Sequence, residues 1–374
     1  MNEPIRILMV FTIMNRGGAE TMVMNYYRHI DRSKVQFDFI VHREERGAFD
    51  DEIEALGGKI YRMMPLHPLT FGKYKKQIAK FFDEHPEYKI IHGHCSELGY
   101  FIYKEAHKRG VPMIIAHAHN SITLVDSKWI FRTYFKHAMR KYITHTFTCG
   151  HDSARWLVGS KLATEAVHMR NAIDTDKFNY IPQNRIDVRK ELGIADDVLL
   201  VGHIGRFEIQ KNHQYVIDIF ENLLLQCPDA MLMLVGRGGD LETPTKEYVK
   251  NRGLQEKILF LGSRSDVNRL LHAMDVFLFP SFMEGMSLAM LEAQCAGLRC
   301  VVSDTIPREV EKTDLISFLP LNKKADYWAD EILKSHGKRY DRTGYHSIIA
   351  KAGYDIKENA EWLQNYYLKQ WQKH

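Results

Sequence analysis

The sequence predicts an α/β protein built as two doubly wound domains. Three observations predict it. The 374 residues exceed what one hydrophobic core comfortably holds. Short β-branched or aromatic runs alternate with amphipathic stretches of helical length along both halves. The alternation lapses once, over the polar stretch 174–197 with Pro182 and Asn184. Such alternation specifies parallel sheets covered by helices on both faces.

In chain order, strands are expected over 5–11, 37–41, 90–92, 113–116 and 146–149. Helices are expected over 19–30 and 48–56, where apolar residues recur at helical spacing. A second series of strands follows over 198–203, 231–235, 258–261, 276–279, 300–303 and 316–319. The stretch 355–372 is an amphipathic helix carrying Trp362, Leu363, Tyr366, Tyr367 and Trp371. These elements assign residues 1–175 to a first Rossmann-like domain and 176–355 to a second. The C-terminal helix, about 356–374, is expected to pack back on the first.

The apolar share of 45% and charged share of 26% are those of a soluble globular protein. The apolar run 5–14 contains Arg6 and leads into Asn15–Arg16–Gly17–Gly18, which suits a first strand and neither a membrane span nor a signal peptide. Five cysteines without a CxxC fit a reducing cytoplasm. A net charge of +4 does not point to nucleic acid. Two stretches, 73–80 and 128–141, are basic and aromatic. In the second, Lys128, Arg132, Lys136 and Arg140 recur every four residues among Trp129, Ile130, Tyr134 and Phe135. That pattern fits a basic helix on an anionic membrane surface, or equally a solvated basic stripe over a buried apolar one.

Residues 275–304 carry the most chemistry. The strand ends at Pro280–Ser281, Glu284 and Gly285 follow, and a short helix bears Glu292 before Gly297 stops it. Gly285 allows a tight turn and close backbone approach, and Ser287 is the expected N-cap, so Gly285, Met286 and Ser287 form a backbone cradle for a ligand. A carboxylate accepting two hydroxyl hydrogen bonds grips a vicinal diol of a sugar. Spacing alone also fits two ordinary surface acids. Arg206 and Lys211, in Gly202–Lys211 after the strand at 198–203, are a planar fork and a point charge suited to phosphate. Gly17 and Gly18 of NRGGAE let backbone N–H groups approach phosphate or sugar. They do not form GxGxxG, so a dinucleotide site is not indicated. His92 with His94, and His117 with His119, stand at strand ends with each pair on one face. Without a cysteine cluster or HExxH no metal is expected. A neutral imidazole that donates to a sugar hydroxyl, or orients an attacking one, is, with a purely structural role as the alternative.

Together, Gly17, Gly18, His119, Arg206, Lys211, Glu284 and Glu292 resemble the family 4 retaining glycosyltransferases of the GT-B fold, over nearly the whole chain. Segments such as MNRGGAETMVMNYYR are similar to bacterial exopolysaccharide and capsule enzymes. The resemblance implies two facing Rossmann-like domains with a cleft between them, the first binding acceptor and the second a nucleotide sugar. It gives Glu284 the transferred sugar, Glu292 the ribose, Arg206 and Lys211 the diphosphate, and His119 (or His117) the cleft histidine. It implies a metal-independent hexosyltransferase without cofactor, using a UDP-linked donor and a saccharide acceptor such as a lipid-linked one. The protein would be cytoplasmic, with a peripheral place at the inner face of the plasma membrane. A UDP-sugar epimerase or phosphorylase on the same fold, or a non-catalytic nucleotide-sugar-binding partner, would share these residues. Many members of that family carry a glycine pair before Pro–Glu in this loop, where this chain has Asp304–Thr305–Ile306–Pro307–Arg308–Glu309.

Overall fold

The computed structural model describes residues 3–119, 129–336 and 340–374. The chain divides into two units, Met1–Ala172 with Ile356–His374, and Ile173–Asp355. Each unit is built on one parallel sheet.

The sheet of the first unit contains β1 (Ile5–Val10), β2 (Val35–Val41), β3 (Ile60–Arg62), β4 (Ile90–Gly93), β5 (Met113–Ala118), β6 (His145–Thr148) and β7 (Val167–His168), in the order β3-β2-β1-β4-β5-β6-β7. Ile7, Leu8, Met9 and Val10 of β1 are all fully buried, as a strand covered on both faces requires. β3 and β7 escape the sequence reading because they have three and two residues, too few for a period to register.

The helix Ile356–Trp371 packs on the helix Gly18–His29 of this unit. Gln364 Oε1 accepts from the Asp31 backbone N–H at 2.7 Å. Tyr367 is fully buried, its ring edge-on to Phe37 at 6.0 Å.

The second unit contains β8 (Leu200–Ile204), β9 (Met231–Val235), β10 (Ile258–Gly262), β11 (Val276–Phe279), β12 (Arg299–Ser303) and β13 (Ile316–Leu319), in the order β10-β9-β8-β11-β12-β13. The chain first moves outward from β8 to β10, then returns to the other side of β8 with β11. The order therefore reverses between β8 and β11, where Val276 pairs with Val201 and Phe277 with Gly202. In open α/β sheets such a reversal, at the carboxyl ends of the strands, is where ligands bind.

Arg342 fastens this unit from behind. Its buried guanidinium donates to the carbonyls of Leu271, Met274 and Ala296 at 2.9, 2.8 and 3.0 Å, satisfying groups that helix ends leave unpaired.

The helix Trp129–Met139 corrects the expectation for the basic stretch; Lys128 itself lies outside the described residues. Arg132 reaches Glu97 at 3.8 Å, Lys136 lies over the Trp156 ring at 4.5 Å, and Arg140 donates to the Leu157 carbonyl at 3.4 Å. These cations turn toward the unit. The exposed side is apolar: Ile130 is 71% exposed, and Trp129, Phe131 and Tyr134 are exposed beside it. Phe135 and Met139 supply the buried anchor. The physical reason is that long cationic stems lie along apolar surface and find partners on neighbouring helices.

Candidate active site

Lys211 and Glu284 meet beyond the carboxyl ends of β8 and β11, where the strand order reverses. Lys211 closes the single turn Ile209–Lys211 after β8, and Glu284 lies in the loop after β11. Lys211 Nζ donates to Glu284 Oε1 at 2.7 Å and sits 4.6 Å from the Phe279 ring centroid. The side chains are 19% and 7% exposed, so the ion pair is largely withdrawn from water. Two loops are laced together to hold it. Phe282 N–H donates to the Gln210 carbonyl at 2.9 Å, and Gln210 Nε2 donates to the Met283 carbonyl at 2.7 Å. Asn212, in the left-handed region at φ 56°, donates from Nδ2 to the Pro280 carbonyl at 3.1 Å.

Gly205 is needed for close approach. A Cβ there would lie 3.0–3.2 Å from Cδ, Cγ and Cε of Lys211. Gly205→Ala is expected to push Lys211 away from Glu284 and lower turnover about tenfold, with little change in melting temperature, because the displaced atoms are a side-chain stem. Steady-state kinetics beside a thermal melt checks this, and an unchanged kcat/KM would contradict it.

Glu292 stands on the helix Leu288–Cys295 and is 9% exposed. Its carboxylate makes no hydrogen bond to any described residue, while its backbone carbonyl accepts from Ala296 N–H at 3.0 Å. Burial pushes its carboxyl up to about 7, with Lys177 pulling the other way. A buried carboxylate without a donor is costly on its own account, and hydroxyl donors from a ligand would relieve it.

The remaining residues read from sequence fall less simply. Arg206 is 59% exposed on its side chain and pairs with Glu208 at 3.2 Å. Gly285 has no positive φ. The turns on this edge that demand glycine lie in the loop after β9, at Gly236 (φ 151°) and Gly239 (φ 97°). A Cβ on them would meet the carbonyls of Gly205 and Phe207 at 2.0 and 2.3 Å. This loop was missed by the sequence reading; the run Gly236–Arg237–Gly238–Gly239 after an apolar strand is the signal that could have found it. Ser287 does occupy the N-cap position, at φ −74° and ψ 123°, but its hydroxyl makes no capping hydrogen bond. Met286 lies in the same segment, between Gly285 and this N-cap.

In the first unit Gly17 is the N-cap of the helix Gly18–His29, and a Cβ on it would lie 2.3 Å from the Glu20 carboxylate. An acid therefore fills the space where close anion approach was expected at Gly17, whereas Gly18 is unobstructed.

The four histidines do come together. His92 and His117 are joined edge to edge, Nε2 to Nδ1 at 3.0 Å, and His94 and His119 likewise, Nδ1 to Nε2 at 2.8 Å. The pairs stack, His92 on His94 with centroids 4.4 Å apart and His117 on His119 at 4.2 Å. Tyr367 Oη bonds His92 Nδ1 at 2.6 Å. Burial lowers all four, His119 to about 4, so the cluster is neutral. Ring nitrogens of His92, His94 and His117 lie within 4.8 Å of one another. Imidazole lone pairs lie in the ring plane, however, and stacked planes do not converge on one point as a tetrahedral ion requires. The structure favours a hydrogen-bonded cluster.

Comparison with known proteins identifies the architecture. The family described as "Glycosyltransferase Family 4" matches residues 16–177, and "Glycosyl transferases group 1" matches residues 184–334. EpsF of Bacillus subtilis (strain 168), a glycosyltransferase by name, is 34% identical over 97% of this chain and 96% of its own. An Escherichia coli UDP-Gal:alpha-D-GlcNAc-diphosphoundecaprenol alpha-1,3-galactosyltransferase is 28% identical over 72% of each chain. The crystal structure of Anabaena HepE in complex with UDP and glucose superposes with a TM-score of 0.78 over 96% of this chain and 98% of that one, at 18% identity, a likeness of GT-B fold. With a match of this strength along its length, the chain belongs to the family 4 glycosyltransferases and is a glycosyltransferase.

Proposed function

We propose that the protein transfers a hexosyl unit from a UDP-sugar to a hydroxyl of a lipid-linked saccharide, with retention at the anomeric carbon and without a metal, in building an exopolysaccharide or capsule. The observation that carries this reading is the Lys211–Glu284 pair beyond the carboxyl ends of β8 and β11. In the proposed complex the Lys211 ammonium turns to the diphosphate, whose charge grows as the glycosidic bond breaks, with Arg206 as second cation. Glu284 then accepts from hydroxyls of the sugar being moved, Glu292 from the ribose, and Gly285, Met286 and Ser287 line the phosphate side. Attack by the acceptor on the face the diphosphate leaves would give the retention. Gly17 and Gly18 are assigned to phosphate or sugar of the donor, and His119 to a sugar hydroxyl. The Escherichia coli relative's diphosphoundecaprenol acceptor supports a lipid-linked class.

The test is a screen of UDP-sugars by thermal shift, then transfer to a prenyl-diphosphate-linked sugar with the product's anomeric configuration read by NMR. An inverted product would end the retaining mechanism, and loss of turnover in chelator, restored by a divalent ion, would end the metal-free one. A new sugar isomer from donor alone would favour an epimerase, and tight binding with no turnover a non-catalytic partner.

No helix among the described residues is long and apolar enough to cross a membrane. The exposed Trp129, Ile130 and Phe131 face supports peripheral contact, since contiguous apolar patches mark interaction sites. Replacing all three with serine is expected to weaken binding to phosphatidylglycerol vesicles by about tenfold per side chain removed from lipid. Equal sedimentation of both proteins with vesicles would refute the membrane assignment.

A further inference from the structure

The histidine cluster has a direction that the proposed chemistry does not use. His94 and His119 share one hydrogen bond, between Nδ1 of the first and Nε2 of the second. Each neutral imidazole carries one N–H, so only one of the two nitrogens in that bond is protonated. The other nitrogen of His94, Nε2, is buried with no hydrogen-bond partner. Two arrangements are open. If His119 donates, His94 carries its proton on Nε2, and that N–H is a buried donor with no acceptor. If His94 donates from Nδ1, the buried Nε2 is a bare lone pair. An orphaned buried N–H is the rarer and costlier defect.

We infer that His94 is a positioning residue that donates from Nδ1 to His119 Nε2, and so fixes His119 as the Nδ1–H tautomer with a hydrogen-bond donor on its remaining nitrogen. His119 then offers a hydrogen to an oxygen ligand, the hydroxyl or ether oxygen of a sugar, and does not serve as general base. This rests on the assignment of His119 to the substrate side. It decides between the two roles open to a neutral histidine there, donor and base.

The surroundings hold both rings. His94 is stacked between Phe11, with centroids 4.5 Å apart and planes 8° apart, and His92. His119 is stacked on His117, and its carbonyl accepts from Cys149 Sγ at 3.3 Å and Ser153 Oγ at 3.5 Å. The stacks hold both rings in their planes, and in this orientation His94 Nδ1 faces His119 Nε2.

The experiment is long-range 1H–15N NMR on the full chain with 15N-labelled histidine, the His119 resonances assigned by their loss in His119→Gln. In the free protein His119 should show a protonated Nδ1 and a bare Nε2. His94→Leu should move it to the Nε2–H form that free histidine prefers. His94→Asn, whose side-chain amide can stand where Nδ1 stood, should restore the Nδ1–H form. An Nε2–H signal in the wild type, or no change in His94→Leu while the protein melts as before, overturns the inference. A companion measurement separates this from the site reading. If His119→Gln leaves the affinity and hydrolysis of UDP-glucose and UDP-galactose unchanged, the substrate-side assignment fails even though the tautomer stands. If His94→Leu lowers kcat/KM in step with loss of the Nδ1–H signal and His94→Asn returns both, the two hold together.

Discussion

Lys211→Ala and Glu284→Ala are each expected to lower transfer by about 10²–10³-fold, the range seen when one preorganised charge is removed from a developing oxyanion. The pair is 2.7 Å apart and almost out of water. Each single change also strands a charge, and breaking a buried pair costs about 3–5 kcal/mol of stability. Lowered activity in a single variant therefore mixes chemistry with folding. The double variant Lys211→Met, Glu284→Gln removes both charges and should regain most of the lost melting temperature. Turnover should stay as low as in the worse single variant. Recovery of turnover in the double variant would show that the pair is scaffolding.

Glu292→Gln should stabilise the protein and weaken its hold on nucleotide. In the unfolded chain this carboxyl titrates near 4.5, whereas burial raises it to about 7 in the folded one. A raised carboxyl favours the folded state fully below the unfolded value, and that contribution fades as pH rises from 4.5 through 7. Above 7 the penalty relative to an uncharged side chain is about 3 kcal/mol, from roughly 1.4 kcal/mol per unit. Glutamine should therefore raise the melting temperature at pH 8 and hardly alter it at pH 4.5. Ligand binding runs the other way. Ribose hydroxyls donate, so they select the ionised carboxylate, and affinity for UDP should fall about tenfold per pH unit below 7 in the wild type. Calorimetry in buffers of different ionisation enthalpy should detect the proton released on binding near pH 6. A flat affinity from pH 5.5 to 8 would remove Glu292 from the ribose.

All strands but the short β3 and β7 were legible, because continuous apolar runs leave little choice of structure. Val276–Phe279 and Ile316–Leu319 have the same bounds in sequence and structure. The helix Trp129–Met139 shows what a one-dimensional pattern omits. Its period was readable, but which stripe faces inward depends on Glu97 and Trp156, supplied by other helices. At the candidate site, residue types pointed to Lys211 and Glu284 separately; their direct contact depends on strand order, which no local spacing encodes. The glycine run at Gly236–Gly239 is local, but its reason is not, since the carbonyls that exclude a side chain belong to the loop after a neighbouring strand.

The return of Ile356–Trp371 to the first unit has a consequence for synthesis. Tyr367 completes the histidine cluster through His92, and Gln364 ties down the end of the first helix at Asp31. Both are translated after the whole of the second unit. On the ribosome the first unit must therefore wait with Phe37 and His92 uncovered while Ile173–Asp355 emerges, at a few to twenty residues per second. A release of the chain before residue 356 would leave the second unit able to fold and the first one open.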